Sequence, residues 1–368
     1  MGSDDTLTLE YISFAPPAGI DKKIKGQINA LKKYKIEGYP TYIKGRFVLS
    51  YLHAIFKLLS SKADIIYIRN LGPFMFILIP ALKLLRHTKM LILELPTPLF
   101  ATYHEIKDNP HRNKLINIVR TVLFNLSFPL VLKYFDILVE YGDEDLKYKS
   151  GLDGKIIKIT NGVSLEDIPL RRSYVPHDGL CLIGVANIAF WHGYDRVLLG
   201  MGRYYARTPT IKVQFHVVGD GPEKPSLVDL AKSLDIEEYV IFHGKLMGKD
   251  LDDIYNYCDI GIGSLGLHRE SFPTATTLKA REYCARGIPF ILSNKDPDFS
   301  EDLPFVYYVS SDDAPVQISN IVKFWETTIE RIPKIFITMR VYARRRLTWD
   351  TRMGIIARRI YTAISMKG

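Results

Sequence analysis

One stretch of the chain concentrates side chains suited to an anion. It reads Ser264-Leu265-Gly266-Leu267-His268-Arg269-Glu270-Ser271-Phe272-Pro273 and continues as Thr274-Ala275-Thr276-Thr277-Leu278-Lys279-Ala280-Arg281-Glu282-Tyr283. It follows an apolar strand-like run at 260–263, and a helix fits 276–286. Thr276 or Thr277 can cap that helix, whose first turn presents unpaired amides and the positive end of a dipole. Such an end suits a pyrophosphate. Lys279 adds a full charge in the first turn. Glu282, three residues on and on the same face, can accept hydrogen bonds from two ribose hydroxyls. Glu94 ends an apolar strand and, with Asp21, is a candidate general base if the chemistry is an inverting transfer.

Other chemistries find less support. Asp-x-Asp occurs at Asp143–Asp145, Asp250–Asp252 and Asp296–Asp298, scattered as ordinary loop acids are. His104-Glu105 starts like a zinc-protease motif, but Asp108 stands where the second histidine is needed. No nucleophile elbow or phosphate-binding loop is present. The three cysteines, Cys181, Cys258 and Cys284, have no metal-ligand spacing and read as reduced thiols of a cytosolic protein.

These residues need a scaffold, and the hydropathy pattern supplies one. Apolar strands at 7–14, 65–68, 90–94, 137–139 and 156–159 alternate with helical patterns near 22–33, 46–60, 74–86 and 112–134. The rhythm restarts with strands at 180–185, 213–218, 240–242, 260–263 and 289–292. Helices near 194–205, 225–234, 249–257 and 276–286 lie between them. Near-continuous apolar strands alternating with helices predict parallel sheets buried on both faces. The expected division is 1–165, a hinge at 166–178, 179–345, and a last helix at 346–368.

Hydrophobic residues make up 47% of the 368 and charged residues 24%, a globular balance. The longest uncharged apolar runs, 71–82 and 121–132, contain proline and fall short of membrane-spanning length. The +9 formal charge is uneven: net +6 over 1–170, −4 over 171–339 and +7 over 340–368. That distribution argues against a nucleic-acid track and suits a face turned toward anionic lipid. Arg340, Arg344, Arg345, Arg346, Arg352, Arg358 and Arg359 crowd the tail, and 113–133 has a composition suited to a lipid interface.

Four motifs in order carry a family resemblance. They are Trp191-His192-Gly193, Val218-Gly219-Asp220-Gly221-Pro222, Phe242-His243-Gly244 and Glu282-Tyr283-Cys284-Ala285-Arg286-Gly287-Ile288-Pro289. With them, residues 156–295 resemble the donor domain of GT-B glycosyltransferases, especially the retaining family four (group 1) of bacterial polysaccharide assembly. Ser13-Phe14-Ala15-Pro16-Pro17-Ala18-Gly19 and Ile92-Leu93-Glu94-Leu95-Pro96-Thr97 resemble its N-terminal half. Leu347-Thr348-Trp349 resembles its Phe-Ser-Trp end. The resemblance implies an α/β GT-B architecture of two Rossmann-like domains around a cleft, the last helix crossing back to the first domain.

It also implies a nucleotide-sugar donor (UDP- or GDP-sugar) with no further cofactor and no metal bridge. The acceptor would be a glycan or lipid-linked molecule, and the enzyme cytoplasmic or peripheral on the inner membrane face. Gly19, Lys23, His192, Gly193, Gly219, Lys245, Arg269, Thr276, Thr277, Lys279 and Glu282 become the donor-site candidates, with Glu94 and His192 as catalytic ones. Two departures stand out: Ala186 and His192 replace the family's first-loop basic residues, and Thr274 replaces the first glutamate of its Glu-x7-Glu pattern. A nucleotide-sugar 2-epimerase and a non-catalytic scaffold on the same fold are the alternatives.

Overall fold

The computed structural model describes residues 6–16, 18–45, 48–69, 72, 74–96, 113–141, 151–171, 177–270, 274–331 and 334–367. Asp143–Asp145, His104-Glu105, Thr97 and the 271–273 segment lie outside them.

The chain forms two compact units. The first comprises Met1–Thr160 with Trp349–Gly368, the second Asn161–Thr348. The crossings therefore fall at Thr160–Asn161 and Thr348–Trp349. The stretch expected as a hinge starts inside the second unit: Leu165 and Ile168 are buried in its core, and the Arg171 amide donates to the Arg286 carbonyl at 2.9 Å.

The first unit holds β1 (Leu7–Phe14), α1 (Ala18–Lys32), β2 (Ile36–Ile43), α2 (Val48–Ser60), β3 (Ile65–Arg69), α3 (Ile79–Leu85), β4 (Met90–Leu95), α4 (Lys114–Leu132), β5 (Ile137–Glu140) and β6 (Ile156–Lys158). A 3-10 turn, Met75–Leu78, precedes α3. The sheet order is β2-β1-β3-β4-β5-β6, with every pairing parallel. All six residues of β4 are buried, as a strand covered on both faces requires. One face packs under α2, α3 and α4. The other packs under α1 and the returning helix α11 (Trp349–Lys367), through Trp349, Met353, Ile356 and Ile360.

The hydropathy pattern did not predict β2. Its sequence, IEGYPTYI, holds Gly38 and Pro40, which a strand tolerates only at an edge, and β2 is an edge. Helix α4 also exceeds expectation. By length and composition it could cross a membrane, whereas the uncharged runs alone looked too short. Here it is a layer helix: Phe124, Phe128, Val131 and Leu132 are in the core, and the Asn113 side chain caps it by accepting from the Leu115 amide at 2.8 Å.

The second unit holds β7 (Leu180–Val185), α5 (Tyr194–Tyr205), β8 (Val213–Val218), α6 (Lys224–Ser233), β9 (Val240–Gly244), α7 (Gly248–Tyr257), β10 (Ile260–Ile262), α8 (Leu278–Arg286), β11 (Phe290–Leu292), β12 (Val306–Tyr308), α9 (Ile318–Arg331) and α10 (Ile335–Arg346). Its parallel sheet runs β12-β11-β10-β7-β8-β9. The order reverses between β10 and β7, so the loops after these two strands diverge and leave a crevice at their carboxyl ends.

The tail arginines are divided between the two units. Arg340 is spent on the carbonyls of Leu165, Ile168 and Ala285, and Arg344–Arg346 end α10 in the second unit. Arg352, Arg358 and Arg359 ride on α11, which covers the sheet face opposite α4. Within the first unit, the α11 arginines and α4 therefore lie on opposite faces of the sheet, not on the one basic side expected.

Candidate functional site

The switch point of the second unit brings together the loop after β7 (186–193), the loop after β10 (263–270) and the start of α8. The first two are stitched by backbone: Leu265 N–H donates to the His192 carbonyl at 2.8 Å, and Gly266 N–H to that of Trp191 at 3.2 Å. Two glycines permit this closeness. Gly193 has φ +63, and a Cβ there would lie 2.6 Å from Gly266 N; Gly219, after β8, has φ +124, and its Cβ would meet the Ala186 carbonyl oxygen at 1.8 Å. No other residue fits either place.

Helix α8 opens toward this site. Thr277 occupies the N-cap position, with φ −71 and ψ 139, yet its side chain makes no capping bond and its buried hydroxyl has no partner. Thr276 is engaged elsewhere: its Oγ1 and carbonyl accept from Asn161 Nδ2, the latter at 2.6 Å. The first-turn amides of α8 are therefore not capped by either threonine.

Lys279 stands beside them. Its Nζ donates to Tyr194 Oη at 3.2 Å and lies 5.2 Å from that ring's centre. Among the described residues no carboxylate pairs with it, and burial pushes the ammonium down to about 7. Desolvation without a counter-charge is the cause. Tyr194, which sequence reasoning missed, packs its ring on Gly184 of β7.

His192 lies in the same neighbourhood. Its Nδ1 faces the Ala189 backbone, 3.1 Å from the amide nitrogen and 3.2 Å from the carbonyl oxygen. Nδ1 accepts from the first or donates to the second according to the tautomer. Burial, with Lys279 nearby, pushes the imidazole down to about 3, which keeps it neutral. It is a neutral hydrogen-bonding group and not an added positive charge.

Three expected residues are placed otherwise. Arg269 is held by neighbours: Nη1 and Nη2 grip Asp195 at 3.0 and 2.7 Å, Nη1 also reaches the Phe190 carbonyl, and Nε binds Asp313 at 2.7 Å. It braces the loops, and these contacts take all but one of its N–H donors. Lys245 is exposed beyond β9. Glu282 is half-exposed, and its Oε1 accepts from Nε and Nη2 of Arg286 at 3.0 and 2.9 Å, with Asp252 of α7 2.7 Å from the same guanidinium.

Glu94, Lys23 and Gly19 belong to the first unit. Glu94 is fully buried and saturated: it accepts from Tyr11 (2.8 Å), Tyr67 (2.9 Å), Gln27 (3.1 Å) and Arg69 (2.7 Å), with Lys23 Nζ at 3.4 Å. Burial alone would raise its carboxyl, but Lys23, Arg69 and the tyrosine hydroxyls hold it below the usual range. A carboxylate with no access and no free lone pair is not placed to act as the expected general base. Lys23 is itself buried under Tyr141, 3.7 Å from the ring centre, and burial lowers it to about 8. It is a structural cation here and not a donor contact. Gly19 lies in the first turn of α1 with open space where a Cβ would go. Asp21 is paired with Lys25 at 2.7 Å and accepts from Tyr42.

The described Asp-x-Asp pairs are structural as well. Asp296 and Asp298 clamp the buried Arg281, and Asp252 pairs with Arg286. One cluster has metal-ligand chemistry, His177, Cys181 and Asp259. Arg171 sits 3.4 Å from the Asp259 carboxylate, and burial pushes the Cys181 thiol up to about 11, so both features oppose a bound cation. All three cysteines are free and buried.

The comparisons converge on this geometry. The family model described as "Glycosyl transferases group 1" matches residues 171–301, which include both loops and α8. The fold of the whole chain is that of the GT-B glycosyltransferases. Anabaena HepE, solved with UDP and with UDP-glucose, is 14% identical with a TM-score of 0.65, covering 97% of this chain and 100% of its own. The catalytic domain of Arabidopsis thaliana starch synthase IV, bound to ADP and acarbose, is 10% identical with a TM-score of 0.64, covering 98% and 100%. WaaG, a glycosyltransferase involved in lipopolysaccharide biosynthesis, is 12% identical with a TM-score of 0.58, covering 92% and 94%. No curated protein matches by sequence.

Proposed function

We propose that this glycosyltransferase moves a sugar from a UDP-sugar to a glycan or lipid-linked acceptor in cell-surface polysaccharide assembly, with retention. One observation carries the donor reading: Lys279, with no carboxylate partner among the described residues, lies beside the first turn of α8, capped by neither threonine, at the switch point. Such an arrangement of amides and ammonium suits an anion. A diphosphate there would meet the helix amides, the Lys279 ammonium and the His192 imidazole. As the donor's glycosidic bond breaks, negative charge grows on the leaving phosphate, and these groups stabilise it. The same phosphate can take the acceptor's proton, so no protein base is required, in keeping with the engagement of Glu94. Glu282 offers Oε2 to the ribose, with Oε1 held by Arg286.

UDP is favoured because HepE is solved with UDP and UDP-glucose. A thermal-shift screen of UDP, GDP and ADP tests this, since a ligand of the native state alone raises its stability. UDP should give the largest shift. A second reading, a scaffold that binds donor without turnover, draws on the engagement of Arg269, which leaves Lys279 as the one full positive charge identified at the site. Release of UDP in the presence of an acceptor panel separates the two.

A further inference from the structure

The outer layer of the first unit exposes apolar side chains in an ordered pattern. On α4, Leu115, Ile118, Val122, Leu126 and Leu130 are exposed at helical spacing, flanked by Ile116 and Val119, and Leu126 is 68% accessible. On the inner side of the same helix, polar Asn117 and Thr121 are buried. That is the reverse of a water-facing helix. Helix α2 continues the surface with Leu49, Leu52, Phe56 and Leu59, and α3 adds Leu84. All three helices pack on the turn Met75–Leu78, so they form one layer.

The charges of this layer have one sign. Helices α2, α3 and α4 carry Lys57, Lys83, Lys114 and Arg120, and no aspartate or glutamate. At the ends of α3 and α4 a cavity of about 380 Å³ is lined by Arg86, His87, Lys133, Tyr134, Phe135, Asp136 and Lys155. Its one carboxylate, Asp136, accepts from the Leu91 amide at 2.9 Å. Lys155 is turned to the Phe135 carbonyl at 2.9 Å, while Arg86, His87 and Lys133 are exposed.

We infer that this face docks on an anionic bilayer, with the α4 and α2 stripes in the headgroup–acyl boundary and the cavity receiving a lipid phosphate. An exposed apolar stripe edged by cations is the composition that partitions into such an interface. The sign of the charge selects the occupant: a second copy would bring basic residues against basic residues, whereas anionic lipid neutralises them. The inference goes beyond the donor reading and uses no residue of the second unit.

The test is co-sedimentation of the full chain with vesicles of phosphatidylcholine, with and without phosphatidylglycerol. Binding should require phosphatidylglycerol and fall as salt rises. The double variant Ile118→Glu/Leu126→Glu, at exposed positions, should bind at least about tenfold less. Arg86→Glu/Lys133→Glu should lose the response to phosphatidylglycerol. Both should keep the wild-type UDP thermal shift, which reads the donor site separately. Equal binding of wild type and variants, or equal binding to neutral vesicles, would overturn the inference. So would a wild-type dimer that Ile118→Glu/Leu126→Glu dissociates, because the occupant would then be a second copy.

Discussion

Lys279 sets the pH behaviour of the donor site. Its ammonium, lowered to about 7 by burial, is half deprotonated near neutrality in the free protein. A bound diphosphate favours the charged form, so binding takes up a proton and UDP affinity should fall as pH rises above about 7. The stability term runs the other way. The unfolded chain holds this proton up to the ordinary lysine value while the folded one releases it above about 7, so this contribution grows with pH across that window. Calorimetry at several pH values, in buffers of different ionisation enthalpy, measures both affinity and proton uptake. Lys279→Ala should weaken UDP by roughly 1–3 kcal/mol, the scale of one charge-assisted contact. Lys279→Arg should retain binding at high pH, and affinity that is flat with pH in the wild type would refute the assignment. Glu94 makes a contrasting case. Glu94→Gln leaves Lys23 and Arg69 buried without their anion, which should cost about 3–5 kcal/mol. Because its carboxyl is held low, the stability it supplies is present above the usual carboxylate range and is lost as pH falls through the folded value. Thermal denaturation of wild type and variant from neutral to acid pH should show the gap between them closing. A variant as stable as wild type at neutral pH would contradict the buried-cluster account.

At the scale of elements, the site depends on loops that only glycine lets approach. Gly193→Ala forces a Cβ to 2.6 Å from Gly266 N in a left-handed conformation, a strain of roughly 1–3 kcal/mol at the backbone alone. The loops after β7 and β10 should part, and UDP affinity should drop while the far-ultraviolet circular dichroism stays native. Unchanged affinity would mean the two loops need not meet to bind donor. How much of this was legible follows from what each element displays. The βα rhythm and α8 with Lys279 were readable, because a strand–loop–helix with lysine in its first turn is a local pattern. The partners were not. Arg269, so phosphate-like in sequence, is taken by Asp195 and Asp313, which are 74 and 44 residues away. Glu94 looked like a cleft carboxylate because its strand ends there, but the tyrosines and cations that enclose it come from three other elements. Tyr194 carried no signal beyond the glycine before it. The strands β2 and β12 and the helices α9 and α10 escaped as well. Of these, β2 did so because Gly38 and Pro40 break the apolar run that marks a strand.

The whole molecule is held by a chain that leaves its first unit and returns. Helix α11 is the last segment in sequence, yet Trp349, Met353, Ile356 and Ile360 are buried against α1 and the first sheet. Tyr34 Oη donates to the Asp350 carbonyl, and Lys23 lies 5.6 Å from the Trp349 ring centre. Burying each large apolar side chain contributes about 1.5–3 kcal/mol, so these four supply roughly 6–12 kcal/mol. That is comparable to the entire stability of a domain, about 5–15 kcal/mol. Truncation after Thr348 should therefore unfold the first unit and leave the second with both of its cores intact, since no residue of those cores lies beyond Leu347. Hydrogen exchange followed by mass spectrometry should show protection lost over β1 to β6 and retained over β7 to β12. The UDP thermal shift should survive in the truncated chain, because Lys279, His192 and α8 all belong to the second unit. Retained protection in β1 to β6 would show that the returning helix is dispensable. Joint loss of protection in both sheets would show that the two units fold as one.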